Sequence, residues 1–366
     1  MLAFAVAILS IGIDGTDAAN RDYISYWAAG QQLIHHHNPY DPAEIARLEK
    51  MAGWNKPRTL FVRNAPSALF LTMPLGFVTN PRTGAILWSL AMIASLMASI
   101  RLLKTFYGDT NGSVHLYCYL FAPVLACILA GQTGIFILLG VVLFLRFHQT
   151  SPFVGGAALL ICAMKPHLLL PFGIALLLWA GTTKAYRLLT GAAVAIFASC
   201  AVCLWFDPHV WNHYSQMIGS ESIGDEFIPT FSRMVRIAIH KEWLWPQFLP
   251  AAVASLWAVF YYQKHRHEWS WRSHGQIVLM ISVLAAPYAW VTDEVVALPA
   301  ILGSLLVAES RKVSLMPFIV FNGIAMLEVM FGVKTNSGFY VWTTTVWLMW
   351  YLYARGETRV EVPSVA

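Results

Sequence analysis

The chain is written as a succession of apolar runs cut by short polar breaks, and that pattern fixes its solvent before anything else. From Leu188 to Phe206, for example, no side chain is charged, and roughly 20 such residues suffice to cross a bilayer as a helix. Charged residues make up 12% of the chain and hydrophobic ones 58%, whereas soluble domains are about 25% charged. With 15 Trp, 14 Tyr and 21 Phe besides, the apolar surface exceeds what one core can hide, so lipid must cover the remainder. A soluble enzyme, secreted or cytosolic, and a disordered scaffold are thereby excluded. A transmembrane barrel would alternate apolar and polar residues over segments of about ten, and these runs do not alternate. The expected class is all-α, a polytopic helical membrane protein.

The apolar runs predict about twelve spans, near residues 1–13, 83–100, 116–130, 135–147, 153–164, 168–180, 188–206, 244–262, 276–291, 295–308, 313–332 and 339–354. They form one domain over 1–366, with long outer loops at 14–82 and 207–243. The first run has neither a basic leader nor a clear small-residue cleavage site and reads as an anchor helix. Cys118, Cys127, Cys162, Cys200 and Cys203 all lie in apolar runs, where cysteine behaves as a small hydrophobe and implies no disulfide framework. The net charge of +5 is loop charge that sets topology. No dense basic stretch points to nucleic acid.

With the N-terminus inside, the inner segments 101–115, 146–152, 181–187, 263–275, 309–312 and the tail from 355 carry twelve Lys or Arg against five acids. The outer segments carry the other twelve basic residues against fourteen acids, so insertion favours this orientation. Nearly every unusual polar residue then opens onto the outer, extracytoplasmic face. That face has no ready supply of nucleotides, so an activated donor there must be borne by the membrane or arrive from outside.

In the first outer loop, Tyr23, Trp27, Gly30 and Ile34 fall at helical spacing. The run predicts a helix lying on the membrane surface, ended at Asn38-Pro39 because a residue before proline is pushed out of helical angles. Asp14, Asp17 and Asp22 precede it, and capping is the plain reading for acids in that place. Asp22, beside Arg21 at the lipid boundary, is also placed to accept a proton from a hydroxyl. His35, His36 and His37 are consecutive, hence about 100° apart on a helix, and cannot share one ion. The stretch 58–78, with Pro66 and Pro74, is apolar but too short to span, and predicts a second interfacial or re-entrant element. Within it Arg63, just before Pro66, is positioned either to snorkel or to clamp a phosphate.

Three breaks interrupt apolar runs at membrane depth, where irregular backbone is tolerated only against protein or a water-filled cavity. Gly131-Gln132-Thr133-Gly134 offers Gln132 as a ligand for sugar hydroxyls, or is simply a tight turn. Lys165-Pro166-His167 places a cation and an imidazole among apolar neighbours. Such groups are costly there unless they face a cavity or an anion, so both are candidates for a phosphate. In Pro287-Tyr288…Asp293-Glu294, Asp293 is a second catalytic or sugar-binding candidate, with Lys165 or Arg63 as its expected partner, and Glu294 its solvated neighbour. Charges in the loop 207–243 read as a solvated face, although Arg233 and Arg236, three apart, suit an anionic headgroup. The inner loop 264–272, KHRHEWSWR, reads as an anchor on an anionic leaflet.

Taken in order, Asp22-Tyr23-x-x-Tyr26-x-x-Ala29, Asn38-Pro39-Tyr40-Asp41, Pro66-x(7)-Pro74-Leu75, Gly131-Gln132, Lys165-Pro166 and Pro287-Tyr288…Asp293 resemble glycosyltransferase family 87 of the GT-C superfamily. The resemblance implies a polytopic enzyme that moves a sugar, usually mannose, from a polyprenyl-phosphate donor to a lipid-linked or glycan acceptor on the outer face. It further implies residence in a bacterial inner membrane. Asp22 matches the family's general base. Lys165, His167 and Arg63 would hold the donor phosphate; Gln132, Asp293, Tyr26 and Tyr288 would contact sugar or acceptor. Arg63-Asn64-Ala65-Pro66 departs from the Tyr-x-Pro-Pro-like run found there in the family. No metal-ligand spacing or paired-aspartate motif is visible, so neither cofactor nor obligatory divalent ion is expected. A lipid flippase or other carrier, and a polymerase or ligase of lipid-linked glycans, stay open as alternatives.

Overall fold

The computed structural model describes residues 21–55, 59–108, 112–220 and 227–356. The expected first span, Asp14, Asp17, the loop acids Glu221, Asp225 and Glu226, and the tail beyond 356 lie outside the described residues. Among those described, every regular element is helical. In chain order they are α1 (Tyr23–Ile34), α2 (Pro42–Met51), α3 (Met73–Gly76), α4 (Pro81–Tyr107), α5 (Ala122–Ala130) and α6 (Gly134–Phe147). Then come α7 (Pro152–Ala157), α8 (Leu159–Cys162), α9 (Leu170–Thr182), α10 (Tyr186–Phe206), α11 (Val210–Ser220) and α12 (Phe231–Ile239). Last are α13 (Leu249–His265), α14 (His274–Leu284), α15 (Leu298–Arg311), α16 (Met316–Met330) and α17 (Thr343–Gly356).

Helices do fall where the apolar runs predict spans, but two of those described, α4 and α10, are long and apolar enough to cross a membrane unaided. The expectation of about twelve spans, several of them short, is thus not confirmed among the described residues. Proline is the physical reason: it fits the first helical turn but cannot continue a preceding one. Pro152, Pro250, Pro299 and Pro317 each lie in the first turn of a helix here, and Pro166 and Pro246 lie at the start of tight 3-10 turns, Pro166–Leu169 and Trp245–Phe248, just ahead of α9 and α13. The runs are thereby cut into shorter helices joined by turns. Large apolar side chains still face outward, as for Phe197 (77% exposed) and Trp205 (78%) on α10 and Phe260 (69%) on α13. Such surface is stable against lipid and not against water.

Two compact units are distinguishable, one drawn from 1–102, 126–166 and 180–226, the other from 103–125, 167–179 and 227–366. In the first, two close crossings of backbone organise the packing. A β-carbon on Gly156 of α7 would overlap the Leu188 carbonyl of α10, and one on Gly191 of α10 would overlap the Phe153 carbonyl. Gly30 of α1 and Gly76 of α3 meet in the same way: a β-carbon on Gly30 would strike the Thr72 carbonyl. Helices with small residues at the crossing approach closely, which is how association is gained where lipid leaves little hydrophobic driving force. The turn Pro66–Leu71 hangs on α10, whose Ser199 hydroxyl donates to the Ser67 carbonyl at 2.7 Å.

The helix expected to lie on the membrane surface is instead an internal one. Every residue of α1 but Ile34 is buried. Tyr23, Trp27, Gly30 and Ile34 define one apolar face, but Ala28, Ala29 and Gly30 are small enough for the other sides to be packed too. The Trp27 indole donates to the Val78 carbonyl at 2.7 Å, and the Gln31 amide to the Gly76 carbonyl at 2.8 Å. The helix also stops before Asn38-Pro39, in a turn where His36 takes a left-handed φ of 61°. The three histidines that follow α1 are exposed.

In the second unit, the turn Glu294–Ala297 leads into α15, which packs with α17. The carboxylate of Glu294 is buried, not solvated as expected. It accepts from the Thr343 hydroxyl at 2.5 Å and the Trp347 indole at 2.8 Å, both on α17. A carboxylate carried inside must find donors, and the sequence does not reveal that α17 brings them. The expected solvated face at 233–236 is corrected likewise: Arg233 and Arg236 on α12 are buried, and Arg236 donates to the Gln247 side chain at 3.2 Å. Gln247 in turn donates to the Pro287 carbonyl at 2.6 Å, which ties α12 to the third break.

Candidate active site

Asp22 immediately precedes the first turn of α1, where a carboxylate ordinarily accepts from the helix's own N–H groups. Here it does not cap: its φ and ψ are −60° and −21°, and its side chain makes no capping bond. The carboxylate turns to the first break instead, where it accepts a hydrogen bond from the Gln132 amide nitrogen. The Gln132 carbonyl oxygen accepts from the Tyr26 hydroxyl and from the Lys165 ammonium, each at 3.2 Å. Lysine can only donate and an ionised carboxylate can only accept, so these two neighbours fix which end of the amide faces which. Asp22, Tyr26, Gln132 and Lys165 therefore form one network inside the first unit.

Backbone anchors hold that network in place. The Asp22 N–H donates to the Ala130 carbonyl at 3.0 Å. Arg21, 6% exposed, reaches back to the end of α5, donating to the carbonyls of Leu129 (3.0 Å) and Ile128 and to the Ser89 hydroxyl (3.0 Å). A guanidinium at a helix C-terminus satisfies carbonyls that lack an intrahelical partner and complements the negative end of the dipole. Gly131 carries a left-handed φ of 66°, and a β-carbon there would press on Tyr23, so glycine suits this position. The Trp88 indole donates to its carbonyl at 2.9 Å. Next to Lys165, the Asn64 amide donates to the Met164 carbonyl at 2.6 Å, and the Tyr40 hydroxyl donates to the Asn64 carbonyl at 2.8 Å. Arg63, half-buried beside Asn64, belongs to the same unit.

A second carboxyl stands behind the first. Glu49 of α2 is fully buried and accepts from the Leu60 N–H at 3.2 Å with both oxygens. Burial pushes it up to about 7; the Leu60 N–H pulls it down, and the negative charge of Asp22 adds to the rise. Because its value is above that of the unfolded chain, Glu49 contributes stability that is full below about pH 4.5 and is lost as pH rises through about 7. The thermal midpoint in detergent should accordingly fall between pH 5 and 8 by the equivalent of at most about 3 kcal/mol. Glu49→Gln should flatten that slope, and an unchanged slope in the variant would assign it to another group.

The remaining candidates lie in the second unit. The His167 ring meets the Tyr288 ring edge-on at 6.0 Å. Asp293 is fully buried and accepts from the Trp290 N–H at 3.2 Å, within its own turn. Sequence reasoning selected Asp22, Gln132 and Lys165 because polar groups in apolar runs stand out. It passed over Arg21, Ser89, Trp88, Asn64 and Glu49. Of these, only Arg21 and Asn64 carried a visible signal, each being a polar neighbour of a residue already singled out.

A family model described as Glycosyltransferase family 87 matches residues 61–317, 257 of the 366 residues. The matched segment contains Arg63, Gln132, Lys165, His167, Tyr288 and Asp293, and α1 with Asp22 and Tyr26 precedes it. No curated protein and no solved structure matches the chain.

Proposed function

Because the chain belongs to glycosyltransferase family 87, and is thus a membrane glycosyltransferase, we propose that it takes its sugar from a polyprenyl phosphate and that Asp22 is the general base. The observation that carries this reading is the diversion of the Asp22 side chain from capping α1 to the amide of Gln132, which joins it to Lys165. In a polyprenyl-phosphate sugar the leaving group is already anchored in the bilayer. The enzyme has to hold the phosphate, bring an acceptor hydroxyl in line behind the anomeric carbon and take up its proton.

In the proposed reaction the acceptor oxygen forms a bond to the anomeric carbon as the bond from that carbon to the phosphate oxygen breaks. The electron pair leaves with the polyprenyl phosphate, and the acceptor proton passes to the Asp22 carboxylate. Lys165 offsets charge gathering on the departing phosphate, with Arg63 as a second cation. Gln132 and Tyr26 orient hydroxyls. His167, Tyr288 and Asp293 keep the donor- and sugar-binding roles that the family resemblance implies for them. Mannose as the sugar, a lipid-linked or glycan acceptor, an extracytoplasmic site and residence in a bacterial inner membrane complete the proposal. The positive-inside bias supports the orientation and the family supports the chemistry.

The experiment is an assay of purified protein in detergent and in vesicles with a radiolabelled polyprenyl-phosphate sugar. Sugar passing to an extractable acceptor, with polyprenyl phosphate released in equal amount, is the expected result. Movement of intact lipid-linked sugar across the vesicle with no transfer would replace the proposal by a flippase.

A further inference from the structure

We propose that the turn between α13 and α14 binds a transition-metal ion of the zinc type through His265, Glu268 and His274, a site separate from the proposed reaction. The three side chains bring one ligand atom each to within 4.8 Å of the others. His265 closes α13, Glu268 lies in the turn three residues on, and His274 opens α14. All three belong to the second unit, and none is among the residues of the Asp22 network. Two imidazoles and one carboxylate are a donor set that zinc accepts, with a fourth position left to water. Ligand atoms around tetrahedral zinc stand roughly 3.3 Å apart, given bond lengths near 2.0–2.1 Å. One pair is already closer than that, His265 Nδ1 and Glu268 Oε1 at 2.8 Å, and in the proposed site the His265 or His274 ring turns out of their stack so that both lone pairs meet one ion.

The surroundings are those of a supported ligand set. The Tyr261 hydroxyl lies 3.0 Å from His274 Nδ1 and orients that ring, so the proposal assigns its Nε2 to the ion. Holding a ligating imidazole by its other nitrogen is the usual outer-shell device in metal sites. The rings of His265 and His274 stack at 4.6 Å, and Trp269 stacks on His274 at 5.5 Å and 20°. The Tyr261 ring meets both imidazoles, His265 at 4.6 Å and His274 at 5.7 Å. Imidazoles walled by aromatic rings are poor ligands for calcium or magnesium, which want oxygen donors and ordered water. They suit zinc, cobalt, nickel or copper. Lys264, Arg266 and Arg272 flank the turn, so Glu268 supplies the negative charge that a dication needs. The stretch that reads in sequence as a basic aromatic anchor is folded back on itself by these contacts.

The test uses the full chain, purified in detergent through a tag free of histidine and stripped with a chelator. Titration with zinc against a competing chromophoric chelator should give one equivalent per chain, and cobalt should give the visible bands of a tetrahedral complex. Replacing both imidazoles, His265→Gln with His274→Gln, should remove that equivalent and the cobalt bands. Glu268→Gln, at a side chain 69% exposed and so without consequence for folding, should weaken binding about tenfold or more. Glutamines at the three consecutive histidines 35–37 should leave the equivalent in place. Retention of the full equivalent by the double variant, or the absence of saturable zinc binding by the parent chain, would overturn the proposal. Should the double variant elute aggregated, the Glu268→Gln affinity decides, and an unchanged value counts against the site.

Discussion

Asp22→Asn should lower the transfer rate by about 10²–10⁴-fold, the contribution of a positioned base, and leave donor affinity and folded yield close to those of the parent. Asparagine keeps an oxygen where Asp22 accepts from Gln132, and the side chain makes no capping bond whose loss would loosen α1. The change therefore removes charge and basicity with little disturbance of shape. The measurement is the kcat and KM split for the labelled polyprenyl-phosphate sugar, with thermal midpoint in detergent as the control for folding. A variant with unimpaired kcat would take Asp22 out of the chemistry. An equally large loss of kcat with a collapsed thermal midpoint would make Asp22 a structural residue. Glu49 behind it predicts that charge near Asp22 matters, so the pH profile of the parent should be compared with that of Glu49→Gln in the same series.

Gly156→Val should abolish accumulation of folded protein. Its β-carbon would overlap a backbone carbonyl of α10, not a side chain, so no rotamer change relieves the clash. Overpacking in a tight core costs typically 1–3 kcal/mol where side chains can shift; here two helices have to separate. That separation also exposes the reciprocal approach of Gly191 to the Phe153 carbonyl. Domains stable by only about 5–15 kcal/mol have little margin for such a change. Gly323→Ala on α16, with nothing within 4 Å of the added carbon, is the matched control and should be neutral. Fluorescence-detected size exclusion of the two variants checks the pair. A monodisperse peak for Gly156→Val at parental yield would mean that the α7–α10 crossing is looser than the structure has it.

Apolar runs and prolines made most of the helix positions legible, because hydropathy reports burial in lipid or protein alike. The same signal cannot say which of the two applies, and α1 shows it: an apolar face that suits a membrane surface is wrapped on every side by protein. Glu294, Arg233 and Arg236 differ from the sequence expectation for a related reason. A charge in a loop looks solvated until the chain folds back donors or acceptors such as Thr343, Trp347 and Gln247, dozens of residues away or a turn downstream. The residues that face a break were easier, since Asp22, Gln132 and Lys165 interrupt their own apolar surroundings. The supports beneath them, Ser89 and Trp88 on a long apolar helix and Glu49 on an amphipathic one, look unremarkable in sequence and gain meaning only from what lies opposite.

Arg21 and Asp22 are adjacent yet serve opposite neighbours, the first facing a row of peptide oxygens at the end of α5 and the second an amide nitrogen. A register slip of one position would swing the guanidinium toward Lys165 and drive the carboxylate into those oxygens, repulsive at both ends. This junction should accordingly accept no insertion or deletion, because the spacing between the two residues is itself the thing being specified.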